Sequence, residues 1–143
     1  MSLTINQDVF PLAQVFTISR GSRTEAKVLS VKINRDGVSG WGECVPYARY
    51  NETAASVSAQ IESLPDAFDR QGLYELLPPG AARNAVDCAL WDLEAKQSGL
   101  RVWQLAGLPT PGPEITAYTL SLDSPENMRA QAAEHAHRPL LKI

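Results

Sequence analysis

The stretch Ala81 to Leu105, AARNAVDCALWDLEAKQSGLRVWQL, constrains the fold more than any other part of the chain. Pro78-Pro79-Gly80 stops whatever precedes it, and Gly99 supplies a glycine where a helix should end. Neither Gly nor Pro lies between them. Val86, Leu90 and Leu93 recur at i, i+4, i+7 and make an apolar stripe. Ala82, Ala85 and Ala89 form a second row, small enough to let another backbone come close. The pattern predicts a long helix packed tightly on two sides, with Arg83, Asn84, Asp87, Asp92 and Glu94 mostly on the remaining, solvated face.

The rest of the chain reads as strands first, then helices, then the start of a strand–helix–strand unit. Leu3 to Ile5 and Val9-Phe10 suggest a first strand that Pro11 breaks. Thr24 to Asn34 alternates as a strand, Asp36-Gly37 signals a hairpin turn, and Val38 to Cys44 returns. Gly40 and Gly42 would weaken an isolated ladder, so they imply a bulge or a close approach of another backbone. Thr53 can cap a helix to about Ser63 with Ala54, Val57 and Ile61 inward. A short helix near Gln71 to Leu77 precedes the long one, and a further turn of helix, Val102 to Ala106, closes at Gly107.

The proline-dense run from Pro109 to Pro113 is the expected domain boundary, dividing the chain into 1–112 and 113–143. Beyond it Glu114 to Leu122 reads as a strand. Ser124-Pro125-Glu126 starts a helix with Met128, Ala132 and His135 on one face, and Leu140 to Ile143 begins another strand. Two such strands cannot close a barrel or cover their own edges. The expectation is therefore a piece of a larger protein; the alternative is a self-contained α+β domain with a disordered tail.

With 143 residues, 44% hydrophobic and 20% charged, the composition is that of a globular protein with a real core. A net charge of -3 leaves no basic footprint for nucleic acid. No apolar run approaches the ~20 residues of a membrane span, and no secretory signal is visible. Cys44 and Cys88 fit neither a metal spacing nor a disulfide framework, and read as two buried thiols in a reducing cytoplasm.

AVDCALWDLEAKQSGLRVWQLAGL resembles the signature of the enolase superfamily in its muconate-lactonising-enzyme-like branch, where a capping-domain helix reads A-x-D-x-A-L-W-D-L-x-x-K. GWGECVPYARYNET, from Gly40 to Thr53, resembles the branch's Gly-x-Gly-Glu…Pro…Tyr…Glu segment. FTISRGSRTEAKV, from Phe16 to Val28, looks like the substrate-facing loop of its dipeptide epimerases. The implied fold is α+β: a small antiparallel sheet of three strands followed by a helical bundle, as a capping domain. The first strand-helix-strand of an incomplete (β/α) barrel follows it.

The chemistry that this resemblance implies is inversion of a centre next to a carboxylate, in dipeptides such as L-Ala-D/L-Glu, through an enediolate. A divalent metal, Mg²⁺, stabilises the charge while lysines on either face move the proton. Lys142 resembles the first lysine of the branch's Lys-x-Lys, a helper near the substrate carboxylate. Arg23 resembles the arginine that grips the side-chain carboxylate of a C-terminal glutamate, with Arg20 as a second candidate and Gly21 as a hinge. Thr119, near a barrel-strand end, resembles a substrate-contacting threonine.

Phe16 and Ile18 line that loop or pack the sheet, and Glu43, Tyr50 and Glu52 read as loop-fixing groups. Asp87 and Asp92 read as a solvated face. His135 and His137 read as residues of an exposed helix end that favour its dipole. None of the four is assigned to metal, whose ligands the resemblance places on later barrel strands. The whole enzyme is expected to be a homo-oligomer acting on a small dipeptide, and the 143 residues alone to be inactive. The alternatives are muconate cycloisomerisation, o-succinylbenzoate synthesis, N-acylamino-acid racemisation, or a noncatalytic interaction module.

Overall fold

The computed structural model describes residues 1–143. Its elements run β1 (Ser2–Ile18), β2 (Gly21–Arg35), β3 (Val38–Cys44), a 3₁₀ turn (Ala48–Tyr50), α1 (Ala54–Glu62), α2 (Arg70–Leu76) and α3 (Ala81–Ser98). Then follow α4 (Val102–Leu105), β4 (Tyr118–Thr119), α5 (Pro125–Glu134) and β5 (Leu141–Lys142). β1, β2 and β3 form one sheet in that order, and β4 pairs with β5 in a separate parallel sheet. Two compact units result: residues 1–9 with 27–111, and residues 10–26 with 112–143. No helix is long and apolar enough to cross a membrane.

The first unit is built on contact between α3 and the sheet. Alternation along β2 buries Leu29, Val31 and Ile33 on one face. Ala82, Ala85, Val86, Ala89, Leu90 and Leu93 of α3 complete that core, with Val57 and Ile61 of α1 and Leu73 and Leu77 at α2. Asp36 and Gly37, at φ 53° and 80°, make the turn into β3.

β2 and β3 then pair without interruption from Arg35↔Val38 to Leu29↔Cys44, so the glycines of β3 mark no bulge. They mark the close approach instead. A β-carbon at Gly40 would lie 2.1 Å from the Ala89 carbonyl oxygen, and one at Gly42 2.0 Å from that of Ala85. The alanine row of α3 and the bare backbone of β3 thus fit together as one device.

Helix ends follow local chemistry. Thr53 and Ser56 cap α1 reciprocally, the Thr53 hydroxyl accepting from the Ser56 N–H at 3.0 Å and the Ser56 hydroxyl from the Thr53 N–H at 2.9 Å. The Asp69 carboxylate accepts from the Gly72 N–H at 2.7 Å and starts α2. Gly99, at φ 70°, ends α3 in the left-handed conformation. In the second unit the Ser124 hydroxyl caps α5, with Pro125 in its first turn. Met128, Ala132 and His135 are half-buried along one side of that helix.

Three expectations are corrected. Pro11 does not break the first strand: β1 runs through it from Ser2 to Ile18. β1 has a neighbour on one side only, and a proline without an N–H is tolerated at a sheet edge. Glu114 to Leu122 is not one strand, because only Tyr118 and Thr119 have register partners in a sheet, at Leu141 and Lys142. And of the two cysteines only Cys44 is buried; Cys88 is exposed on α3.

Candidate active site

The second unit contains Arg23, Thr119 and Lys142, the leading candidates for substrate chemistry, and also Arg20, exposed at the hairpin turn. Thr119 and Lys142 are register partners on β4 and β5. Partners on neighbouring strands present their side chains to the same face, so the hydroxyl and the ammonium are sheet neighbours. The ladder brackets them: the Tyr118 N–H donates to the Leu140 carbonyl at 3.0 Å and the Leu120 N–H to the Lys142 carbonyl at 2.9 Å. Thr119 is half-buried and Lys142 exposed, each at the carboxyl end of its strand.

Arg23 comes from a different element. It is exposed near the start of β2, just past the Ser19-Arg20 turn, so the expected loop is the tip of a long hairpin. Gly21 at that turn has φ 134°, a backbone region that other side chains rarely adopt. Phe16 and Ile18 are half-buried on the opposite arm.

Ser121, which belongs to no motif in the sequence, ties this tip down. Only 7% exposed, its hydroxyl accepts from the Thr17 N–H at 2.9 Å and meets the Val15 carbonyl at 3.3 Å. The Leu122 N–H donates to the Thr17 carbonyl at 2.9 Å, and the Thr17 and Ser22 hydroxyls are 2.8 Å apart. No local sequence signal marks this residue, since its partners lie 104 and 106 positions away.

Several polar residues have structural posts in the first unit. Glu52 fixes the segment after β3: one carboxylate oxygen accepts from the Ala81 N–H at the start of α3 at 2.7 Å, the other from the Tyr47 N–H at 3.1 Å. Tyr50 is 70% exposed, with its ring 5.8 Å from that of Tyr47. Burial, together with the nearby Glu52 and Glu43 carboxylates, pushes the Cys44 thiol up to about 11.

Asp92 is not merely solvated, as its place on α3 suggested. It accepts from the Trp41 N–H at 2.8 Å and from Lys96, so it tethers α3 to β3. Asp87 keeps one carboxylate oxygen buried without a hydrogen-bond partner. In the second unit His135 is half-buried against the Tyr118 ring, 4.2 Å between centroids, with Nδ1 buried and unbonded. Packing, beyond the helix dipole, accounts for its position.

No group of three or more His, Cys, Asp or Glu side chains could hold a metal ion. The residues present therefore do not fit a divalent cation site, and no chemical step is assigned to a metal on them.

Residues 1–107 match the N-terminal domain of the mandelate racemase / muconate lactonizing enzyme family. The chain belongs to that family. Among curated members, the L-Ala-D/L-Glu epimerase of Escherichia coli K12 is 42% identical over 99% of this chain and 46% of its own length. An N-acetyl-D-glutamate racemase of a Pseudoalteromonas species is 43% identical over 73% of this chain and 35% of its own. The chain thus spans about half the length, or less, of the curated family members it matches.

Among solved members, an enolase family member from Agrobacterium tumefaciens, described as having homology to dipeptide epimerases, aligns with a TM-score of 0.92 at 51% identity. The match covers 99% of this chain and 44% of that one, which holds sodium and L-Ala-L-Glu with an ordered loop. A dipeptide epimerase from Enterococcus faecalis, complexed with Mg and L-Leu-L-Tyr, aligns at 0.84 and 25% identity over 99% of this chain and 44% of its own. The three-stranded sheet with its helices is the capping domain of this family, and the parallel β4–β5 pair is the start of its barrel.

Proposed function

We propose that this chain supplies the capping domain, residues 1–112, and the first strand–helix–strand of the barrel, residues 113–143, of a metal-dependent dipeptide epimerase of the L-Ala-D/L-Glu type. The observation that carries the reading is the pairing of Thr119 with Lys142 at the carboxyl ends of adjacent parallel strands. Active-site groups of such barrels stand at those ends. A lysine ammonium there lies where it can pair with a substrate carboxylate, and the threonine hydroxyl can hold a neighbouring polar group.

Arg23 is the group we assign to specificity. Its planar fork suits a second carboxylate, the side chain of a glutamate. The names of two relatives share that feature: an L-Ala-D/L-Glu epimerase and an N-acetyl-D-glutamate racemase both act on a glutamate whose amine is acylated. The metal of the whole protein is proposed to be Mg²⁺, which accompanies dipeptides in the relatives from Enterococcus faecalis and Methylococcus capsulatus. When bound it would stabilise negative charge developing on the substrate carboxylate. None of the residues described here is assigned as its ligand.

The test is direct. The whole protein is incubated with L-Ala-L-Glu in D₂O with Mg²⁺, and the glutamate α-proton is followed by NMR. Exchange of that proton together with appearance of L-Ala-D-Glu is the expected result; a spectrum unchanged at high enzyme concentration sinks the proposal. The N-acetylglutamate racemase relative supports a second reading. Comparison of kcat/KM for N-acetylglutamate and L-Ala-L-Glu separates the two.

A further inference from the structure

The structure assigns Ser121 as a positioning residue that holds the hairpin tip bearing Arg23 onto the segment that follows Thr119; its catalytic meaning rests on the dipeptide-epimerase reading above. Ser121 is the only polar side chain among the buried residues, and a buried hydroxyl without partners would be costly. It has two, both on the far arm of the hairpin: the Thr17 N–H at 2.9 Å and the Val15 carbonyl at 3.3 Å. The backbone adds a third link, from the Leu122 N–H to the Thr17 carbonyl at 2.9 Å.

Thr17 is the relay. Its hydroxyl lies 2.8 Å from that of Ser22, the residue next to Arg23. A continuous path of hydrogen bonds and covalent backbone therefore runs from Ser121 through Thr17 and Ser22 to Arg23. At its other end Ser121 stands two residues beyond Thr119, whose register partner is Lys142. Ser121 is thus placed to fix the height of the arginine relative to the threonine and lysine without touching substrate itself.

Two variants and two readouts test this in the whole protein. Ser121→Ala deletes both hydroxyl contacts; Ser121→Thr keeps a hydroxyl and serves as the rescue. Hydrogen–deuterium exchange reports the anchoring without any assay of activity. With two hydrogen bonds lost at about 1 kcal/mol each, the Thr17 amide in Ser121→Ala should exchange roughly tenfold faster or more. The amides of α3, in the other unit, should stay as in the parent and so show that the variant is folded.

In the kinetic readout KM for L-Ala-L-Glu should rise about tenfold in Ser121→Ala with a smaller change in kcat, and Ser121→Thr should recover most of it. Unchanged exchange at Thr17 in Ser121→Ala overturns the anchoring. Faster exchange with unaltered KM overturns the positioning role. A parent protein that turns over no dipeptide removes the epimerase reading instead, while the exchange comparison still decides whether Ser121 holds the tip.

Discussion

Gly42 lies so close to Ala85 that a β-carbon on the glycine would come within 2.0 Å of the alanine's carbonyl oxygen and 2.7 Å of the Ala89 nitrogen. Backbone rather than a movable side chain opposes it, so the strand and helix would have to separate. Gly42→Ala is expected to destabilise the protein at or beyond the ~1–3 kcal/mol usual for overpacking. Gly112→Ala, where nothing lies within 4 Å, serves as the matched control and should be near neutral. Urea midpoints of the two variants make the comparison. Equal midpoints would mean that α3 does not sit on β3 as described.

Glu52 carries a different part of the first unit. Its carboxylate receives N–H groups from Ala81 and Tyr47, joining the start of α3 to the segment after β3. Glu52→Ala leaves both donors without this acceptor and should cost about 1–2 kcal/mol, the range of a lost helix cap. Glu52→Gln keeps an acceptor oxygen but loses the charge at the helix N-terminus, and should cost about half as much. Thermal unfolding that ranks parent above Gln above Ala is the expected order; a Glu52→Ala protein as stable as its parent contradicts it.

What could be read from the sequence is explained by how local each signal is. Pro78-Pro79-Gly80 and Gly99 delimit α3 within their own neighbourhood, and its alanine row matches the glycines of β3 because both are compositional signs of one close contact. Pro11 misled because the first strand's place at the edge of the sheet is a tertiary fact. Glu114 to Ala117 misled for the same reason: β-propensity does not make a strand where no partner backbone lies alongside. The tethering roles of Asp92 and Ser121 leave no local signal, because their partners, Trp41 and Thr17, are 51 and 104 residues away. Thr119 and Lys142 were named through resemblance; their register partnership emerged only from the fold.

The Cys44 thiol gives the stability of the first unit a dependence on alkaline pH. Burial first, then the neighbouring carboxylates, raises it from 9.0 to about 11 in the folded protein. A raised folded value means that its contribution to stability is complete below the unfolded value and is lost as pH climbs through the folded one. Urea midpoints should therefore fall between about pH 9 and 11. Cys44→Ala should flatten that slope, whatever offset the smaller side chain adds at every pH. The same environment keeps the thiolate scarce near neutrality, so a thiol reagent at pH 7.5 should modify exposed Cys88 well before Cys44. Parallel slopes for parent and variant would argue against the shift.

Arg23→Met tests the specificity assigned to the hairpin tip. The arginine stands exposed near the start of β2, in the same compact unit as Thr119 and Lys142, where a guanidinium can grip a carboxylate bidentately. Losing a charge-assisted bond of that kind costs roughly 1.5–3 kcal/mol. In the whole protein kcat/KM for dipeptides ending in Glu or Asp should then fall on the order of tenfold to a hundredfold. Dipeptides ending in a neutral residue should lose far less, since they offer the fork nothing to hold. Equal, small losses for both classes would place Arg23 outside substrate recognition. They would also remove the main reason for preferring acidic dipeptides over the other substrates of this family.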